Sequence, residues 1–258
     1  MGVKPIYELF IDARGCYFEL LVNDIPFYFH YKVGATSFRL PVNNFIPKSG
    51  QQNISLKMLS VNEGQEFPVG AEVILKIEEF EKNTPKERKA VMDYKTPDLK
   101  THTTGVFTDK KIFNADVPYT LSYVDSVDLE RIDRAVLRET LEKEYIKYTE
   151  AFKNNDLSAY QKLTSERQEN IFTSLYVDSE RRKKQEASYL SGVTHNLVKL
   201  HPLKTYQLVF YNNNKFVGLQ MPNEAPGIYI DNEKEEDAFI EYILFHKKTA
   251  GSPISIVL

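Results

Sequence analysis

The sequence predicts an all-β sandwich followed by an α+β unit within one chain, and three observations carry that prediction. Apolar residues alternate at period two from Pro5 to about Tyr123, recur at spacings of three and four from Asp128, and alternate again in the last third. Period two puts successive side chains on opposite faces of a strand, whereas spacings of three and four put them on one face of a helix. With 258 residues, the chain is longer than the ~100–200 residues typical of one domain. The change of texture is therefore read as a boundary, with 1–125 forming the sandwich and 126–258 the α+β unit.

The first alternating run is Tyr7, Leu9 and Ile11, followed by Cys16, Phe18, Leu20 and Val22, then Ile25, Phe27, Phe29 and Tyr31. Asn23 and Asp24 separate the second run from the third, and both types accept the left-handed backbone angles of a tight hairpin. Strict alternation points Phe18, Phe27 and Phe29 at the core, where full burial of each is worth roughly 1.5–3 kcal/mol. Tyr17, Tyr28 and His30 then fall on the other face. They are candidates for binding carbohydrate or lipid, against the simpler reading that a second sheet or domain covers them. Further strands are expected in "TSFRLPV", "NISLKML", "AEVILKIEEF", "KAVMDY", "TTGVFTDKKIF" and "PYTLSYV", divided by polar breaks such as "PKSGQQ" and "EKNTPKE". Many short strands at such spacing describe an antiparallel sandwich.

From Asp128 the residues Ile132, Val136 or Leu137, Leu141, Tyr145, Tyr148 and Phe152 mark the apolar stripe of a helix about seven turns long, with Ser126 or Asp128 as its cap. "KNND" is a turn, and Asp156 caps a short second helix, "LSAYQKLT". Ser165 and Gln168 form a capping box for a third helix running to about Leu190. Strands follow: "TYQLVFYN" and "KFVGLQM" around the turn Asn212 to Asn214, then "GIYI", a long strand from Ala238 to Lys248, and "SPISIVL". Both faces of the long strand are apolar, so both are expected to be covered.

Composition excludes some functions. A 42% hydrophobic and 27% charged chain is ordinary for a globular protein. A net charge of -3 supplies no field that would concentrate it on nucleic acid or an anionic membrane. Cys16 is alone, so neither an internal disulfide nor a multi-cysteine zinc site is expected. The start "MGVKPIYELF" has no signal-peptide pattern, and no stretch reaches the ~18 apolar residues of a spanning helix. A reducing cytoplasm is the expected compartment, with export only if a leader was removed before residue 1.

The run "EYIKYTEAFKNNDLSAYQKLTS", an aromatic-rich helix passing through a polar turn into a second helix, resembles the NTF2-like (SnoaL-like) α+β cone over roughly Asp128 to Leu258. "SERQENIFTSLYV" leaves no room for the strand hairpin that many members place between the second and third helices. The resemblance implies a cavity between helices and sheet, used in some members for acid–base chemistry and in others for binding or assembly. Tyr145, Tyr148 and Tyr229 are its cavity candidates, and Tyr242 with His246 its weak catalytic candidates. It also admits a homodimer through the sheet, or a sheet capped by the preceding sandwich, which is read as immunoglobulin-like.

No motif adds a reaction. His246 is a general-base candidate oriented by Tyr242, but spacing supplies no partner carboxylate, and a partly exposed histidine near a strand end beside Lys247 and Lys248 is the simpler reading. His195 and His201 lack a third metal ligand. Asp231 to Asp237 lacks the glycine and ordered positions of a calcium loop. Arg181, Arg182, Lys183 and Lys184 stand beside Glu180 and Glu186 as a solvated helix face. No phosphate loop, zinc-protease signature or nucleophile elbow is present. The expectation is a cofactor-free, non-enzymatic binding protein of bacterial type with no metal, directed at a protein partner as immunity proteins are, or at a small apolar ligand. The alternatives are an isomerase, hydratase or hydrolase working from the cavity, and a carbohydrate- or lipid-binding module.

Overall fold

The computed structural model describes residues 3–62, 65–102, 104–194, 199–200, 202–222, 224–231 and 238–258. The chain divides into two compact units, Met1–Val124 and Asp125–Leu258, and each has its own cluster of buried apolar side chains. The first unit is built of strands and the second is α+β, and every strand pairing is antiparallel among the described residues.

In the first unit the strands are β1 (Pro5–Arg14), β2 (Cys16–Val22), β3 (Ile25–His30), β4 (Ala35–Pro41), β5 (Gly50–Ser60), β6 (Glu72–Glu81), β7 (Lys89–Lys95) and β8 (Val106–Ala115). They form two sheets, of order β4-β1-β6-β7 and β3-β2-β5-β8. Inward residues of both, such as Leu9, Ile11 and Leu75 from one and Phe18, Leu20 and Met58 from the other, share one core. Period-two apolar patterning produces this because each strand then has one face to bury against the opposite sheet. Gly15, at φ +67°, turns the chain from β1 in one sheet to β2 in the other. A side chain there would stand 3.2 Å from Ala71 Cα. The hairpin at Asn23 and Asp24 is present, with φ of 53° and 59°.

Two expectations for this unit need correction. The register between β2 and β3 slips so that Leu20 faces Tyr28 and Leu21 faces Pro26, leaving Phe27 as the extra residue. One inserted residue inverts the faces beyond it. Tyr28 and His30 therefore lie on the side of Phe18, with ring centroids 6.0 and 5.2 Å from it. Phe29 turns outward opposite Glu19. Second, "PYTLSYV" forms no strand. It packs by side chains instead: Leu121 and Tyr123 are buried, and the Tyr119 and Tyr123 hydroxyls donate to the carbonyls of Asn43 and Asn44 at 3.0 and 2.7 Å.

The second unit has helices α1 (Arg134–Lys153), α2 (Leu157–Ser174) and α3 (Ser179–Thr194). Its strands are β9 (Lys199–Leu200), β10 (Gln207–Tyr211), β11 (Phe216–Gln220), β12 (Gly227–Asp231), β13 (Ala238–Tyr242), β14 (Phe245–His246) and β15 (Ser255–Ile256). They pair in the orders β10-β11-β14-β15 and β13-β12-β9. The turn before β11 carries positive φ at Asn212, Asn213 and Asn214. The buried stripe of α1, including Leu137, Leu141, Tyr145, Tyr148 and Phe152, packs with strand residues such as Val217, Leu219 and Phe245.

Here the helix boundaries and the long strand differ from expectation. α1 is capped by Asp133, whose carboxylate accepts from Ala135 N and Val136 N at 2.9 and 3.0 Å. The residues before it are held to strands and turns, with Val127 N bonded to Lys247 O and Leu129 N to Asn214 O. Ser165 lies inside α2 with its hydroxyl turned back to Lys162 O, so it caps nothing. The cap of α3 is Asp178, accepting from Arg181 N at 2.9 Å. The predicted strand from Ala238 to Lys248 breaks at Ile243 and Leu244, where the chain passes from one sheet to the other. No helix among the described residues is long and apolar enough to cross a membrane.

Candidate functional site

The second unit buries a charged cluster between its helices and β13. α1 supplies Tyr148, α2 supplies Tyr160, Arg167 and Gln168, α3 supplies Tyr189, and β13 supplies Glu241. Tyr160 and Arg167 are seven residues apart, two helical turns, so they share one face of α2. The Arg167 and Glu241 side chains are each 7% exposed and meet at 2.7 Å. Arg167 Nη2 donates to the Tyr148 and Tyr160 hydroxyls at 3.0 and 3.2 Å. Tyr148 donates to Glu241 Oε1 at 2.7 Å, and Tyr189 donates to Oε2. Gln168 donates to Tyr160 at 3.0 Å.

The electrostatics follow from that closure. Burial opposes charge on Arg167, but the surrounding tyrosine oxygens and the Glu241 carboxylate outweigh it and hold the guanidinium protonated. Burial pushes the Tyr148, Tyr160 and Tyr189 phenols upward, and the Glu241 charge adds to this. The phenols therefore stay neutral donors at neutral pH. Both carboxylate oxygens and both terminal guanidinium nitrogens are engaged, while Arg167 Nε has no hydrogen-bond partner among the described residues.

His246 is not partly exposed as the sequence suggests but fully buried, in a second cluster that brings it next to Glu166 of α2, a carboxylate that spacing could not supply. Its Nδ1 is 2.6 Å from Ser126 Oγ. Its Nε2 stands 3.0 Å from Glu166 Oε1, but not in line for a hydrogen bond. Glu166 also takes Lys248 Nζ at 3.1 Å and the Ser255 hydroxyl at 2.9 Å. Serine, histidine and glutamate together invite comparison with a hydrolytic relay, but such a relay places serine on Nε2 and the acid on Nδ1. The order here is reversed, with His246 0% and Ser126 4% exposed. The cluster ties the segment before α1 to β14, α2 and β15.

The sequence candidates are distributed as follows. Tyr148 is in the Arg167 cluster. Tyr145 is a staple between α1 and β11, accepting from Leu219 N at 3.0 Å and donating to Leu219 O at 3.2 Å. Tyr242 ends β13, and its carbonyl lies 3.5 Å from Arg167 Nη1. His246 is on β14 in a different sheet, facing Ser126 and Glu166. Tyr229 is on β12, with its side chain outside the described ones. His195, His201 and residues 232–237 also lie outside the described residues. Among the described residues no three His, Cys, Asp or Glu side chains gather as metal ligands. Of the basic run, Arg182 pairs with Glu169 at 2.7 Å and lies over the Phe172 ring. Tyr17 is half-buried on the outer face of β2. His30 sits on the core side, where burial followed by the charge of Lys32 lowers its pKa.

Arg167, Glu241, Tyr160, Tyr189, Glu166 and Ser126 are absent from the sequence candidates. The available signal was a lone charge in an otherwise apolar run, Glu241 inside "AFIEYILF"; Arg167 lies in the polar run "SERQEN" on a helix face that also buries Thr164, Asn170 and Ser174, and carries no such signal. Charged residues are almost never fully buried unless paired, so Glu241 calls for a cationic partner, but nothing in the sequence names Arg167 as that partner.

No protein-family model, curated protein or solved structure matches the chain. Fold and site alone define it as a β sandwich joined to an α+β unit whose helices and β13 close over an arginine–glutamate–tyrosine lock.

Proposed function

We propose that this chain is a non-enzymatic binding protein that engages a protein partner, in the manner of an immunity-type protein. The observation that carries the reading is the saturation of the Glu241 carboxylate, which already accepts Arg167, Tyr148 and Tyr189. A general acid or base must reach the proton it transfers. Here the acid–base groups around Glu241 are spent on one another, and His246 is fully buried with its Nδ1 on Ser126, which favours recognition at the surface over chemistry in the interior. The NTF2-like reading of this unit rests on three helices followed by an antiparallel sheet. The immunoglobulin-like reading of the first unit is one of sandwich architecture, since its first two strands fall in different sheets.

The test is capture of partners by the tagged full chain, followed by reconstitution from purified components. A stoichiometric complex that survives gel filtration at micromolar concentration is the expected result. Failure of every captured protein to reconstitute removes the proposal.

A further inference from the structure

The outer face of the β3-β2-β5-β8 sheet carries an arrangement that the protein-partner reading does not use. Phe29, Glu19, Lys57 and Thr108 are successive cross-strand neighbours, one from each strand. They make a single row on the face opposite Phe18 and Leu20. Tyr31 is fixed above this row by its hydroxyl, which donates to Glu19 Oε1 at 2.9 Å. Its ring centroid lies 6.2 Å from that of Phe29 and 6.5 Å from that of Tyr17. The three rings are half-buried, so each keeps surface available to a ligand.

Beside the rings the face sinks into an open groove of about 510 Å³, whose lining includes Glu19, Leu21, Ser55, Lys57, Thr108 and Lys110. That volume is of the size that holds small ligands, ~300–1,000 Å³. The charges cancel locally: Glu19 pairs with Lys57 at 2.9 Å, Lys110 with Asp24 at 3.1 Å, and Asp109, also on the lining, with Lys111 at 3.0 Å. A groove neutralised pair by pair has no surplus charge for a phosphate, a polyanion or an acidic peptide. It does offer donors and acceptors side by side, next to aromatic surface. A pyranose ring has the complementary chemistry, with an apolar C–H face to lie on an aromatic ring and hydroxyls at its edge that both donate and accept.

The geometry points to a binding site for a neutral oligosaccharide on this face. Sugar rings stack on Tyr17, Phe29 and Tyr31, and their hydroxyls bond to Glu19 and Lys57 in the groove. The site lies within the first unit and stands independently of the protein-partner proposal.

The test titrates the isotope-labelled full chain with neutral hexasaccharides of α-linked glucose, β-linked glucose, β-linked N-acetylglucosamine and β-linked mannose. Polygalacturonate and heparin fragments form the charged arm, and an unstructured peptide the third. The expected result is that at least one neutral sugar binds with a Kd of about 1 mM or tighter, shifting resonances of Tyr17, Glu19, Tyr31 and Lys57. Tyr17→Ala and Tyr31→Ala each weaken it about tenfold or more, as loss of an aromatic anchor does, while Tyr17→Phe retains most of the affinity. Should an alanine variant not fold, the shift map of the unaltered chain decides the matter. Shifts confined to another surface, binding only of charged polymers or peptide, or no response to any neutral sugar overturns the site.

Discussion

At the scale of single residues, the sandwich contains a titratable tie between its two sheets. Tyr94 on β7 donates to Asp109 on β8 at 2.7 Å. Burial raises the Asp109 pKa, but hydrogen bonds from Tyr94 and Lys111 outweigh it and bring the carboxyl below its ordinary value. A depressed carboxyl contributes stability that is complete above its unfolded pKa of about 3.9 and is lost as pH falls through the lower folded value. Asp109→Asn should therefore cost about 1 kcal/mol near neutral pH, the worth of a partly exposed charge-assisted hydrogen bond. The cost should shrink as pH drops below about 4. Urea denaturation of both proteins at neutral and acid pH measures this, and an equal cost at both would reject the assignment.

Among elements, the close approach of β12 to β13 leaves no room at Gly227. Its φ is +140°, and a side chain there would stand 1.9 Å from the carbonyl oxygen of Glu241. Gly227→Ala must shift the strand that holds Glu241, so its cost is expected to exceed ~3 kcal/mol, read as a fall in the denaturation midpoint or as insolubility. The same elements show what a sequence can reveal. Turns at Asn23 and Asp24, and at Asn212 to Asn214, are legible because few residue types accept positive φ. The slip at Phe27 is not, since one inserted residue leaves no compositional trace while inverting Tyr28, Phe29 and His30. Ser165 and Gln168 have the spacing of a capping box but sit mid-helix, because a cap also requires the backbone to leave the helix at that residue. Tyr148 is legible as buried from its place on the apolar stripe of α1. Its partners are not, because Arg167 and Glu241 lie 74 positions apart and meet only through the fold.

For the whole molecule, two core clusters with no shared member predict that 1–124 and 125–258 each fold alone. Each fragment should give a cooperative thermal transition and dispersed amide resonances, and a fragment without them would contradict the division. The interior of the α+β unit is held as a structural lock, and the proposed recognition lies outside it. Catalytic groups are commonly held at a cost to stability, so removing them often stabilises a protein. Removing one member of a buried ion pair instead costs roughly 3–5 kcal/mol, while replacing both with apolar residues is often neutral. Denaturant unfolding of Arg167→Met, Glu241→Leu and the double variant separates the two cases most directly. A structural lock gives two strongly destabilised single variants and a double variant near the parent. Single variants as stable as the parent, or more so, would contradict it.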